Sequence, residues 1–357
     1  MLRAVAIPLS IVAVAAAQTA SAQIPTAPVD AIYPLASPTV DGEVTIAPLD
    51  GGSGAPFFSF WLTDNAGVIE LFGERVNGPG KFIVSSNLVQ VPRHIYADEK
   101  FVVYSLDGLA RSEIMLAKAV GTTSDEFTYT PERRLTNLTP AEEAYPVINY
   151  LSVAWQTRDW VGATPLDWDV SYYDLSRGVT GRLHLPGEQT HPTISEAGRM
   201  AFEDDDGITV VDTTSAALPV LFALTPNNSW KRYRSPSADG DFLAYVAENV
   251  DGSSRIEIRA SNGFPMPVAA PCRNSYQPRL AARTTGPLVA FWGRGCTDGT
   301  ATFDGIFVTN GWVVFEVARF SGARRPDPDG HPWHDIARDH IIFSPDGEYV
   351  EVWDLSL

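Results

Sequence analysis

Seven short apolar runs, each holding an aromatic residue at or near its end and recurring about every 47 residues, predict an all-β chain folded as a single seven-bladed β-propeller. The aromatic positions are Trp61, Tyr104, Trp155, Phe202, Tyr245, Phe291 and Phe343. A second strand-like run follows each of them, and turn formers such as Asp239-Gly240, Asp251-Gly252, Asn262-Gly263 and Asp346-Gly347 punctuate the pattern. Beyond the N-terminus no stretch carries helical periodicity over three turns. The alternative is a ring of six, because Asp50–Ala55 makes a poor strand for the first blade.

Residues 1–22 come first and read as an address. Arg3 precedes an apolar run from Ala4 to Ala17, and Ala20-Ser21-Ala22 supplies a small-residue cleavage site. This is the pattern of a secretory signal peptide cut before Gln23; the run is too short to span a bilayer, which needs about 20 residues. Residues 23–357 then form the propeller domain. An exported chain of this kind is expected in the periplasm or outside the cell, where disulfides persist.

The blades follow in order. Ser59-Phe60-Trp61-Leu62 is followed by Ile69–Phe72 and Lys81–Val84; Val102-Val103-Tyr104 and Val153-Ala154-Trp155 anchor the next two. Met200-Ala201-Phe202 is followed by Ile208–Val211 and Pro219–Phe222, and Leu243-Ala244-Tyr245 by Arg255–Ile258. Val289-Ala290-Phe291 leads to Val313–Glu316. After Ile341-Ile342-Phe343 only Tyr349–Trp353 reads as a strand, so the last blade lacks its outermost one. An N-terminal strand, around Ala31–Ala36 or alternatively Gly42–Leu49, is expected to supply it and remove the open sheet edge.

The stretch Ser235–Arg259 runs through a Pro236 entry, an Ala238-Asp239-Gly240 turn, the strand Leu243-Ala244-Tyr245, a turn at Asp251-Gly252 and the strand Ile256-Glu257-Ile258. It resembles the repeat of TolB-like and WD-like β-propellers. Residues 191–212 and 145–175 match more loosely, and the likeness extends over most of residues 90–357. The resemblance implies the propeller fold and carries no catalytic motif. The chain has no room for the separate α/β domain that TolB itself places before its propeller.

Charge narrows the functional classes. With 26 Lys+Arg against 43 Asp+Glu the net charge is −17, so nucleic acid is not an expected partner. The loops entering each blade share one face, called the top here, with those joining its second and third strands. Cys272 and Cys296 are both expected there as a disulfide. Trp230-Lys231-Arg232-Tyr233-Arg234 enters the fifth blade on the same face, and the Arg158–Trp168 loop of the third adds Trp160 and Trp168. Guanidinium groups beside aromatic faces suit sugars that bear carboxylates. His94, Tyr145, His191, Arg234, Gln277 and His331 fall where the inner strands begin, and four of them precede a proline: Tyr145, His191, Gln277 and His331. A His or Tyr there has the chemistry of a general base. The three His and the Gln could in principle hold a divalent metal, but no zincin, phosphate-loop or dinucleotide motif is present, and no metal or cofactor is expected.

Three functions fit these observations. The favoured one is a monomeric, non-enzymatic scaffold binding a protein or envelope component through the top face. The others are a lyase or hydrolase of acidic, uronate-containing glycans and a carbohydrate-binding module without chemistry. No residue can be assigned as catalytic from the sequence.

Overall fold

The computed structural model describes residues 24–35, 43–48, 57–65, 68–76, 81–86, 91–98, 101–107, 112–120, 128–129, 133–136, 141–149, 151–195, 197–205, 207–215, 220–224, 231–261, 263–320, 333–344, 350–355 and 357. Among them lie seven antiparallel sheets, each with four strands in radial order. The chain is a seven-bladed β-propeller; the six-bladed alternative is set aside, because blade 1 is complete. Its strands are Val44–Pro48, Phe57–Asn65, Val68–Arg75 and Lys81–Ser86. The poor strand Asp50–Ala55 falls between the first two, outside the described residues.

All seven aromatic anchors sit on the second strand of their blade and are 0–2% exposed. The reason is position. A second strand has sheet on both sides and a neighbouring blade against each face, so its middle residues are mostly apolar. The core is divided among seven clusters, one at each junction between blades. One of them joins Val44, Ile46 and Trp61 of blade 1 to Ile342, Val350 and Val352 of blade 7, which closes the ring.

The closing strand is Val29–Leu35. It pairs with Val350–Leu355 as the outermost strand of blade 7. The alternative segment, Gly42–Leu49, serves elsewhere, since Val44–Pro48 is the innermost strand of blade 1. Just before the closing strand, Ala27 N donates to Glu316 O and Glu316 N to Pro25 O, so the chain also clasps the outer edge of blade 6.

Five inner strands carry a β-bulge at the same height, between Arg93 and Tyr96, Ala144 and Val147, Thr190 and Thr193, Arg234 and Ser237, and Tyr276 and Arg279. The first residue inside each bulge has positive φ: His94, Tyr145, His191, Ser235 and Gln277. Pro146, Pro192, Pro236 and Pro278 follow four of them; a bulge frees that position from the ladder, so the missing N–H of proline costs nothing there. In blade 5 the equivalent residue is therefore Ser235, one place after the expected Arg234. These residues also lie inside the inner strands, several positions after their starts. His331 of blade 7 lies outside the described residues.

The amides freed by the bulges are capped from neighbouring blades. His191 N donates to Gln156 Oε1 at 3.0 Å and Ser235 N to Glu203 Oε1 at 2.7 Å. Lower down, Ala238 N donates to Thr193 Oγ1 and Leu280 N to Ser237 Oγ, both at 3.0 Å. These rungs hold the inner strands in a ring around a central channel and satisfy donors that would otherwise be buried unpaired.

Cys272 and Cys296 form a disulfide. Instead of flanking the strands, they lie within the first and second strands of blade 6, Cys272–Arg283 and Gly286–Thr297, as a direct cross-strand pair near the top. Gly293 makes room for the bridge: a Cβ there would come 2.5 Å from Cys272 Sγ. No helix among the described residues is long and apolar enough to cross a membrane.

Candidate functional site

The bulges turn a set of polar side chains into the top mouth of the channel. There they line a cavity of about 130 Å³, which receives His94, Tyr145, His191, Arg234 and Gln277. The rings of His94 and Tyr145 are 4.2 Å apart between centroids, and those of Tyr145 and His191 5.0 Å, so three successive blades contribute one continuous wall. His94 Nδ1 lies 2.7 Å from Ser105 Oγ.

Glu203 organises the next part of the mouth. His191 Nδ1 lies 3.0 Å from Glu203 Oε1, which also accepts the Ser235 amide. Burial opposes ionisation of this carboxyl, but the hydrogen bond and charge of His191, the Ser235 amide and the nearby Arg234 together hold it below the usual range. A carboxylate on Nδ1 fixes the imidazole and leaves its other nitrogen for chemistry or binding.

A wider groove of about 910 Å³ continues from the cavity over blades 3 to 5 and shares His94, Tyr145, His191, Glu203 and Arg234 with it. Trp168 and Arg232 also line the groove. Strand alternation splits the basic run of blade 5. Arg232 and Arg234 face the groove, whereas Tyr233 meets Tyr245 edge to face and Lys231 Nζ lies 3.9 Å from the buried Glu257. The Arg158–Trp168 segment is strand and hairpin where a loop was expected: Ser152–Val161 runs on past Trp160 and pairs with Thr164–Pro165. Arg158 stacks over both indoles, 4.4 Å from Trp168 and 5.5 Å from Trp160. Trp160 stands outside both the cavity and the groove, as do Cys272 and Cys296. Trp230 lies outside the described residues.

Two of the top-face arginines meet carboxylates. Arg158 Nε donates to Glu142 Oε2 at 2.9 Å, and Arg234 Nε lies 3.5 Å from Glu248 Oε2. Glu188 and Asp205 add further negative charge along the groove. The face on which the basic residues gather is thus matched by acid.

The floor of the cavity contains two residues outside the set expected from the sequence, Tyr96 and Arg279. The Arg279 guanidinium lies 5.2 Å over the Tyr96 ring, across the channel from blade 6 to blade 2. Below them Asp335 is fully buried and accepts from Thr45 Oγ1 at 2.6 Å and Ile46 N at 3.3 Å. Burial raises the Asp335 carboxyl against the pull of Arg279. Burial, helped by Arg279, pushes His334 down to about 3, so it is neutral at physiological pH. Beneath this septum a polar cavity of about 850 Å³ opens to the opposite face. Among the described residues no group of three or more His, Cys, Asp or Glu side chains is arranged to hold a metal ion.

Two simple offsets mark the residues that were missed. Glu203 directly follows the anchor Phe202, where Gln156 follows Trp155. Arg279 stands two places after Gln277, where the other blades have Tyr96, Val147, Thr193 and Ser237.

No protein-family model matches the chain, and no curated protein matches its sequence. Among solved structures it is similar to a chain of the mitotic checkpoint complex, with 10% identity over 99% of each chain and a TM-score of 0.54. It is also similar to the β-propeller domain of the trilobed protease of Pyrococcus furiosus, with 10% identity over 74% of this chain and 83% of that one and a TM-score of 0.47. A TolB candidate from Agrobacterium tumefaciens aligns at 14% identity over 66% of this chain and 80% of its own, with a TM-score of 0.39. At such identities the likeness concerns the fold alone.

Proposed function

We propose that the chain is an exported β-propeller that binds a protein or envelope component through its top face. The observation that carries this reading is the continuous concavity at the channel mouth, a 130 Å³ cavity opening into a 910 Å³ groove with five lining residues in common. The leader pattern of residues 1–22 and the Cys272–Cys296 bridge support export to the periplasm or the extracellular space. N-terminal sequencing of protein recovered by osmotic shock is expected to begin at Gln23. For the binding role, affinity capture from envelope extract is compared between native protein, the top-face variant Arg232→Glu/Trp168→Ala and the variant Trp312→Ala, an exposed residue between the third and fourth strands of blade 6 (Thr302–Thr309 and Val314–Arg319), on the opposite face. A specific partner is expected to be lost only from the top-face variant; equal loss from both, or from neither, contradicts the reading.

One observation favours acid–base chemistry on uronate glycans as a second reading. His191, held by Glu203, shares its cavity with Tyr145 and Arg234, the convergence that proton abstraction beside a carboxylate requires. Release of an unsaturated product from uronate polymers, lost in His191→Ala, is the test. Two observations weigh against glycans. The ion pairs of Arg158 and Arg234 reduce the attraction for a polyanion, and Arg158 covers a face of each indole on which a sugar would stack.

A further inference from the structure

We infer that the cavity at the channel mouth captures the free C-terminal carboxylate of a peptide, with Arg279 as its anchor. This rests on the reading that the top face binds protein, and it names what the face recognises.

Arg279 differs from several arginines elsewhere in the fold. Arg182, Arg199, Arg283 and Arg319 each have a carboxylate oxygen within 3.0 Å, and Arg158 is paired as closely. Among the described residues none lies within 4 Å of Arg279; its close neighbour is the Tyr96 ring, on one face of the guanidinium. The side chain lines the upper cavity and does not line the lower one. Its fork of five N–H donors matches a carboxylate bidentately. Among the described residues, the carboxylates nearby have other partners. Asp335 lies below and is engaged by Thr45 and the Ile46 amide. Glu203 is engaged by His191 and Ser235, and Glu43 accepts from Ile95 N at 3.2 Å. His334 is neutral and donates to Gln277 O.

Size and charge choose between ligands. A volume of about 130 Å³ is close to that of an engineered cavity that takes a single benzene ring, so only the end of a ligand enters it. The rest of the ligand must lie in the groove above. There Glu142, Glu188, Glu203 and Asp205 outnumber Arg232 and Arg234. A polymer with a carboxylate on every unit would meet repulsion along that path. A peptide has a single carboxylate at its end, and a lysine or arginine a few residues upstream would complement the groove. The wall of His94, Tyr145 and His191 rings offers the last side chain an aromatic surface to pack on.

The test uses the full mature chain and octapeptides randomised at their last four positions, made as free acids and as C-terminal amides, with calorimetry on the enriched sequences. The free acid is expected to bind about 10- to 100-fold more tightly than its amide, with a basic residue enriched upstream. Arg279→Met is expected to abolish that difference, and Arg279→Lys to retain only part of it because a lysine lacks the fork. Near-ultraviolet circular dichroism checks the fold of each variant, and the acid-to-amide comparison on native protein stands even if Arg279→Met misfolds. Equal affinity of acid and amide, no binding of either, or tighter binding of oligogalacturonates in competition would each overturn the inference. The two readings fail differently. If acid and amide bind alike but Trp168→Ala removes both, the carboxylate anchor is wrong and the top face stands. If binding ignores both Trp168 and Arg279, the top-face reading falls as well.

Discussion

Replacing Glu203 probes the polar architecture of the mouth most directly. Its side chain is only 16% exposed, and Oε1 serves both the Ser235 amide at 2.7 Å and His191 Nδ1 at 3.0 Å. Hydrogen bonds to a charged group contribute about 1.5–3 kcal/mol each. His191 is 41% exposed and can turn to water, so the main cost of removing the carboxylate is the part-buried Ser235 amide left without its acceptor, about 1–3 kcal/mol. Glu203→Ala is therefore expected to lose about 1–3 kcal/mol at pH 7. Glu203→Gln keeps an acceptor for the amide and is expected to lose about 1–2 kcal/mol. The pH dependence distinguishes charge from shape. The folded carboxyl titrates below its ordinary value of 4.5, so its contribution is complete above that value and is lost as pH falls through the lowered one. Urea denaturation at pH 7 and at about pH 3.5 should show the gap between native protein and Glu203→Gln narrowing in acid. A gap that stays constant with pH, or a Glu203→Ala cost under about 1 kcal/mol, would show that the carboxylate is not held as described.

Glu143 should behave in the opposite sense. Burial raises its carboxyl to about 7, against hydrogen bonds from Thr157 and Trp155, so folding loses stability as pH rises from 4.5 to about 7. Glu143→Gln is expected to be more stable than native protein at pH 8, by up to about 3 kcal/mol, and similar to it at pH 4.5; thermal melts at the two pH values check this. Reducing the bridge between Cys272 and Cys296, 24 residues apart, or replacing both by serine, should cost about 3 kcal/mol without loss of secondary structure, read by denaturant midpoint and far-ultraviolet circular dichroism. Phe202→Ala empties a fully buried site between blades 3 and 4 and is expected to cost about 3–5 kcal/mol, whereas Phe264→Ala, at 93% exposure, should be nearly silent in the same melts.

The ring was legible because each blade repeats one strong constraint. Every second strand is enclosed on all sides, and runs such as Val289-Ala290-Phe291 advertise that burial at a regular interval. The closing strand was harder to read. Ala31–Ala36 and Gly42–Leu49 both look like short strands, and the choice depends on pairing with residues about 300 positions away. The mouth was half legible. Tyr145-Pro146, His191-Pro192 and Gln277-Pro278 mark bulges, and the same rule in blade 5 points to Ser235-Pro236, but the run of positive charge drew the reading to Arg234. Glu203 ends a run that reads as a strand reaching solvent. Its partner amide belongs to a bulge 32 residues later, in the next blade, and nothing local announces it.

The same long-range pairing changes what the net charge of −17 means. From the sequence, arginines collecting on one face of an acidic chain suggest attraction for acidic ligands. In the folded protein Arg158 faces Glu142 and Arg234 faces Glu248, so the rim presents little net positive field. Among the described residues, a guanidinium with no carboxylate within 4 Å lies deeper, at Arg279, under a wall of rings and beside Tyr96. Coulomb attraction strengthens as water is excluded, so one guanidinium on that floor can outweigh several at the rim. A ligand approaching this face meets carboxylates first and a cation last. That order favours a molecule whose negative charge is confined to one end, and it disfavours one that carries acid along its length.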